Sequence, residues 1–171
     1  MKRDYDEPLF VDIASCENKC SDTKIEHEIR ALCLEEPFAV LATQGDGQPY
    51  TSLISFAMSD DLKHLVFSTP TQTRKFSLIV ANSNVSLMID NRSSQPESIN
   101  HICGLTITGR ARALSRAEEI AKWQPMLTAK HSYLKKFVKS PSSSLILVET
   151  IRFLYVRRFQ EVYQWLPGKN S

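Results

Sequence analysis

Apolar residues recur at two spacings along this chain, and the change of spacing separates helical from extended stretches. Ile25, Ile29, Leu32 and Cys33 stand at i, i+4, i+7 and i+8, one stripe of an amphipathic helix. Thr23 and Glu26 have the spacing of a capping box at its start, and Pro37 ends it by disfavouring helical geometry in the residue before it. From Phe38 the pattern becomes β. Phe38-Ala-Val-Leu-Ala-Thr43 is a short apolar run, and Gln44-Gly-Asp-Gly-Gln48 is a turn whose glycines supply positive φ. Pro49 opens the next strand, Tyr50 to Met58; Asp60-Asp61 turns the chain again, and Leu65 to Thr69 is a third strand. Three strands joined by short turns predict an antiparallel meander.

A short helix follows from Arg74 to Ala81, with Phe76, Ile79 and Val80 at i, i+3 and i+4, and Asn82-Ser-Asn84 breaks it. Val85 to Ile89 is a fourth strand, and Asn91 to Ser98, rich in Ser, Asn and Pro, is a loop. From Leu105 to Leu114, Thr106, Thr108, Arg110 and Arg112 alternate with apolar residues, which predicts a strand with one wet face. Ser115 and Glu118 form a second capping-box pattern, opening a helical region that Pro125 divides. Ile120, Trp123, Met126, Leu127, Leu134, Phe137 and Val138 are its packing residues. Leu145 to Phe159 is a long final β segment and Val162 to Leu166 a short tail. No repeat and no linker between two cores is visible. Residues 1–20 read as an N-terminal arm and 21–171 as a single domain, mainly β with flanking helices, of the α+β class.

Composition narrows the function classes. With 21 Lys+Arg against 19 Asp+Glu, the net charge of +2 gives no concentrated basic face for nucleic acid or a membrane surface. Arg157-Arg158, with Arg152 nearby, alternates with aromatics and reads as a solvated strand face. No stretch approaches the roughly 20 apolar residues that span a bilayer, and Met1-Lys2-Arg3 runs into acidic residues rather than a secretory signal. Cys16, Cys20, Cys33 and Cys103 are too scattered for a disulfide framework, so a cytoplasmic protein is expected. Cys16 and Cys20 would share a helix face, but two further zinc ligands are missing and no metal is expected.

The chemically informative stretch runs from Leu65 to Ile79. A strand ends in Ser68 and Thr69, and after a short link a helix begins at Thr73-Arg74-Lys75. A helix N-terminus carries free N–H groups and the positive end of the macrodipole, so cations are normally unfavourable there. Two of them in the first turn fit a neighbouring anion, with Arg74 as a bidentate fork, Lys75 as a point charge, and Thr73, Ser68 and Thr69 as hydroxyl donors to a phosphate. A solvated Arg-Lys pair fits the same residues equally well.

These stretches, in their order, resemble the FMN-binding split-barrel proteins related to pyridoxamine 5′-phosphate oxidase. The matching pieces are Pro37-Phe-Ala-Val-Leu-Ala-Thr43, Gly47-Gln-Pro-Tyr-Thr-Ser52, Val66-Phe-Ser-Thr69, Thr73-Arg-Lys75 and Asn82-Ser-Asn-Val-Ser-Leu-Met88, continued by Gly104 to Leu114. The resemblance implies a six-to-seven-stranded antiparallel split β-barrel and a homodimer with flavin at the subunit interface. It implies that Thr51, Ser52, Leu53, Ile54, Ser55 and Phe56 lie along the flavin ring. Ser68, Thr69, Thr73, Arg74 and Lys75 would then serve the phosphate end, and Trp165 is a candidate for covering the ring from the neighbouring subunit.

Departures from the oxidase are as informative. Gly104 stands where the oxidase has a glutamine, Phe56 where it has a substrate-binding lysine, and the tail Phe159 to Leu166 lacks its Arg-x-His element. The cofactor site reads as retained and the vitamin B6 substrate site as lost. His27, His64, His101 and His131 are dispersed, and no histidine follows His131 where haem-degrading relatives carry their iron ligand. No side chain stands out as acid, base or nucleophile. The expected function is FMN-dependent electron transfer between small-molecule donors and acceptors; the alternatives are a non-catalytic flavin-binding redox or stress sensor, and a haem- or deazaflavin-binding relative.

Overall fold

The alternation of inward and outward side chains in the extended stretches is satisfied by one antiparallel sheet that closes on itself. The computed structural model describes residues 19–93, 101–157 and 161–168, with side chains from residue 23. Its elements are α1 (Lys19–Glu35), β1 (Phe38–Gly45), β2 (Gln48–Met58), β3 (His64–Pro70), α2 (Arg74–Ala81), β4 (Asn84–Asp90) and β5 (Gly104–Ala113). After them come α3 (Ala117–Lys130), a 3-10 turn (Ser132–Leu134), α4 (Lys135–Val138), β6 (Ser143–Arg157) and β7 (Glu161–Trp165).

The strand order is β3-β2-β1-β4-β5-β6-β7, and β3 also pairs with β6. Six strands therefore close a split barrel, to which β7 is added. The length of β6 makes this possible. Along one edge its first half takes β3 and its end, Phe153 to Arg157, takes β7, while β5 occupies the other edge. A bulge bends β6: Thr108 opposes Arg152 but Gly109 opposes Thr150, leaving Ile151 as the extra, exposed residue.

Inside the barrel Leu41, Phe56, Leu65, Phe67, Leu87, Leu105, Ile107, Ile146 and Phe153 are buried. The predicted stripe of α1 (Ile25, Ile29, Leu32, Cys33) joins this core, as does Ile79 of α2. A second apolar layer lies outside the barrel, where Leu127, Ile120, Trp123 and Met126 of α3 cover Ala57, Val66, Leu145 and Leu147.

Local chemistry differs from expectation at several points. α1 begins at Lys19, upstream of the Thr23 box. Residues 1–18 of the expected arm, with Cys16, lie outside the described residues. The Ser115–Glu118 box does not form: Arg116 holds the N-cap position without a side-chain bond, and Glu119 pairs with Arg112 and Arg116 instead. Pro125 does not divide α3, which runs unbroken from Ala117 to Lys130. Ala121 and Pro125 are both exposed, so the proline interrupts the helix ladder on the side away from the core. Arg157 is no solvated strand residue. Its guanidinium binds both Glu28 carboxylate oxygens, Glu161 and the Tyr163 hydroxyl. Arg158 lies outside the described residues.

Candidate functional site

β2 and β3 fork. Their ladder holds only Phe56, Ala57 and Met58 against Phe67, Val66 and Leu65. Beyond the fork Thr51 to Ser55 keep β1 on one edge, and among the described residues no strand lies on the other. Ser68, Thr69 and Pro70 have turned to Leu145, Ser144 and Ser143 of β6. An edge of this kind presents backbone N–H and C=O groups that need partners.

Of the residues predicted along a ring, Thr51 and Leu53 point outward and are exposed, while Ile54 and Phe56 point into the barrel. Ser52 also faces inward, opposite Leu41, and its hydroxyl is buried without a partner. Ser55, the first residue past the last β2–β3 pair, is half-buried and bonded to the Tyr133 hydroxyl at 3.2 Å. Ile54 and Phe56 can offer only backbone, and the Phe56 carbonyl already accepts a bond from His131 Nε2 at 2.8 Å.

The β3–α2 turn is tied by hydroxyls. Thr73, expected as a phosphate hydroxyl, caps α2, accepting from the Phe76 N–H at 3.4 Å while donating to the Pro70 carbonyl at 2.9 Å. With that proton committed, the 3.1 Å contact with Thr69 has Thr69 as donor. The Ser68 hydroxyl donates to the Ser144 carbonyl. Three of the predicted phosphate hydroxyls thus hold the turn in place. Arg74 and Lys75 are different. Arg74 is exposed, with its guanidinium 5.2 Å from the centre of the Tyr50 ring, and Lys75 is half-buried. Neither makes an ion pair among the described residues, and the first turn of α2 holds no acid. This donor set, two cations without ion-pair partners among the described residues at a helix start and, past Tyr50, an open strand edge, suits a group with an anionic tail and a polar-edged ring.

Trp165 lies elsewhere. It is buried inside the barrel, edge-on to Phe153 with ring centres 5.3 Å apart. Its ring belongs to the core of its own chain.

Sequence reasoning missed Tyr50, Tyr133 and the role of His131. Tyr50 lay within a quoted motif, but nothing in the spacing of His131 and Tyr133 connects them to β2, because they arrive from the α3–α4 connection. Lys130, beside them, donates at 2.7 Å to the carbonyls of both Cys33 and Glu36 and lies 4.0 Å above the Phe56 ring. It thereby caps the C-terminus of α1, and burial pulls its pKa down to about 8. A cleft of about 450 Å³ next to it is lined by Leu34, Met58, Met126 and neighbours, and burial pushes the Cys33 thiol on its wall up to about 12.

Among solved structures the fold has clear counterparts. A haem-binding protein from Mycobacterium smegmatis superposes with a TM-score of 0.74 at 15% identity, covering 83% of this chain and 57% of the other. ChuZ from Campylobacter jejuni gives 0.73 at 19%, covering 85% and 61%. A FAD-binding protein from Mesorhizobium loti gives 0.59 at 17%, covering 81% and 93%. The chain thus spans less than two thirds of the length of the first two. No curated protein matches it in sequence. The sequence profile of the pyridoxamine 5′-phosphate oxidase family matches residues 25–157, from the middle of α1 to the end of β6, and so takes in the fork, the basic pair and the Tyr133 turn together. With the profile covering well over half of the sequence and the split barrel in place, the chain belongs to the pyridoxamine 5′-phosphate oxidase family.

Proposed function

We propose that this protein binds FMN at the β2–β3 fork and works as a cytoplasmic homodimer, passing electrons between small-molecule donors and acceptors. One observation carries the reading. Arg74 and Lys75 open α2 without a carboxylate partner among the described residues, and the Arg74 guanidinium lies over the ring of Tyr50, the residue before the open edge of β2. A doubly charged phosphate would reverse the unfavourable balance of two cations at a helix N-terminus. Arg74 and Lys75 hold that phosphate; the open edge of Thr51, Ser52, Leu53, Ile54 and Ser55 faces the ring. When bound, the flavin supplies the hydride and electron chemistry, and the protein supplies binding and orientation.

The Mycobacterium smegmatis relative makes haem the competing reading. Flavin is favoured here because His131, the histidine at the fork, has both ring nitrogens in hydrogen bonds, and His64 stacks on Trp123 with ring centres 4.8 Å apart. The free thiols of Cys33 and Cys103 accord with a reducing compartment.

The test is titration of the purified protein with FMN, read by flavin fluorescence, against the Arg74→Ala/Lys75→Ala double variant. Two charge-assisted bonds at about 1.5 kcal/mol each correspond to a loss of about 100-fold in affinity. The thermal transition should stay in place, since neither side chain makes an ion pair among the described residues. Unchanged affinity in the double variant would refute the phosphate assignment. Haem titration, read by its absorbance, separates the competing cofactor.

A further inference from the structure

Three side chains at the apex of the fork form a chain of hydrogen bonds whose direction can be deduced. His131 is buried, and its Nε2 lies 2.8 Å from the Phe56 carbonyl oxygen. A carbonyl only accepts, so Nε2 carries the proton. Burial, with Lys130 beside it, pushes the His131 pKa below its ordinary value and keeps the ring neutral at rest. Nδ1 therefore has no proton and accepts from the Tyr133 hydroxyl at 3.2 Å. With its own proton committed, the Tyr133 oxygen accepts from Ser55 at 3.2 Å. The residue as a whole is 64% exposed. The chain has one end sealed on a buried carbonyl and the other at the first residue of the unpaired edge of β2. It is built to receive a proton.

We propose that Tyr133 and His131 form a proton relay serving the ring seated along Thr51 to Ser55; this rests on the flavin reading given above. Reduced by an external two-electron donor, a bound flavin would supply an acidic N–H; Tyr133 would take that proton on its oxygen and pass its own O–H proton to His131 Nδ1, the electron pair staying with the flavin and the imidazolium of His131 balancing the charge. The Phe56 carbonyl, already accepting from Nε2, stabilises that cation. Reoxidation runs the same transfers backwards and returns the proton. Tyr133 would take the proton and His131 would store the charge.

The experiment uses the full chain labelled with ¹⁵N at histidine, loaded with FMN and reduced anaerobically with dithionite at about pH 8, above the ordinary histidine range. The expected result is a neutral Nε2–H tautomer of His131 in the oxidised state and a doubly protonated ring after reduction. In the Tyr133→Phe variant His131 stays neutral on reduction while FMN still binds, so the readout is the protonation state of the histidine and not occupancy of the site. If the parent binds FMN yet His131 remains neutral on reduction, or is protonated equally in Tyr133→Phe, the relay is overturned and the cofactor site stands. If the parent binds no FMN, both are overturned.

Discussion

Gly109 stands where β5 passes the bulge of β6, and the site leaves no room for a side chain. A Cβ there would lie 2.6 Å from the Glu149 carbonyl oxygen and 2.8 Å from Val148 Cγ1. One contact is backbone within a ladder, so it cannot swing aside. Gly109→Ala is expected to cost about 1–3 kcal/mol in chemical denaturation; no loss would mean that the bulge relaxes freely. His131 makes a pH prediction at the same scale. Its folded pKa lies below the ordinary 6.5, so the unfolded chain binds the proton first as pH falls. The stability conferred by the neutral ring is complete above about pH 6.5 and is lost as the pH falls from there through the folded pKa. The thermal midpoint should drop over that window in the parent and drop less in His131→Gln, whose amide can still donate to the Phe56 carbonyl. Equal slopes would mean that other groups carry the acid sensitivity. Neither residue announced its role in the sequence: a glycine in a strand and a histidine at a helix end are each compatible with many packings.

Elements are held by groups far apart in the chain. Arg157 at the end of β6 clamps α1 through Glu28 at 2.8 and 2.9 Å, and holds β7 through Glu161 and the Tyr163 hydroxyl at 2.9 Å each. The Arg157 side chain is 18% exposed and Glu28 25%, so solvent screens the cluster only in part. Arg157→Leu removes the cation that Glu28 and Glu161 share and should cost about 1–3 kcal/mol, the range for hydrogen bonds to charged groups. A double-mutant cycle with Glu28→Gln checks this: additive effects would show that the two side chains are not coupled. Alternation alone suggested a wet arginine here, because a partner 129 residues away leaves no mark on local periodicity. Helix signals failed the same way where tertiary contacts competed. Glu119 was drawn to Arg112 on β5, and α3 ran through Pro125 because its buried face, Trp123, Met126 and Leu127, continues across the proline.

On the whole molecule, the outer face of β2, β1 and β4 carries Leu53, Val40 and Met88 in one cross-strand row, with Phe38 beside it. Leu53 is 65% exposed and Met88 43%, more apolar surface than one barrel wall leaves in water without reason. If the proposed homodimer uses this face, Leu53→Asp should shift the protein from dimer to monomer in size-exclusion chromatography with light scattering. A dimer of unchanged stability would place the interface elsewhere. At this scale the division between sequence and structure is clear. The apolar spacings of α1, β1–β5 and α2, the start of α2 and the basic pair there were legible in the chain, because each depends on residues within a turn or a strand of one another. So was the family, since it rests on the order of such local pieces. The strand order, the closure of β3 onto β6, the fork that frees the edge of β2 and the meeting of His131, Tyr133 and Ser55 were decided only in three dimensions. Each joins groups whose encounter depends on barrel closure and on α3 lying across it, and no local pattern encodes which distant edge a strand will find.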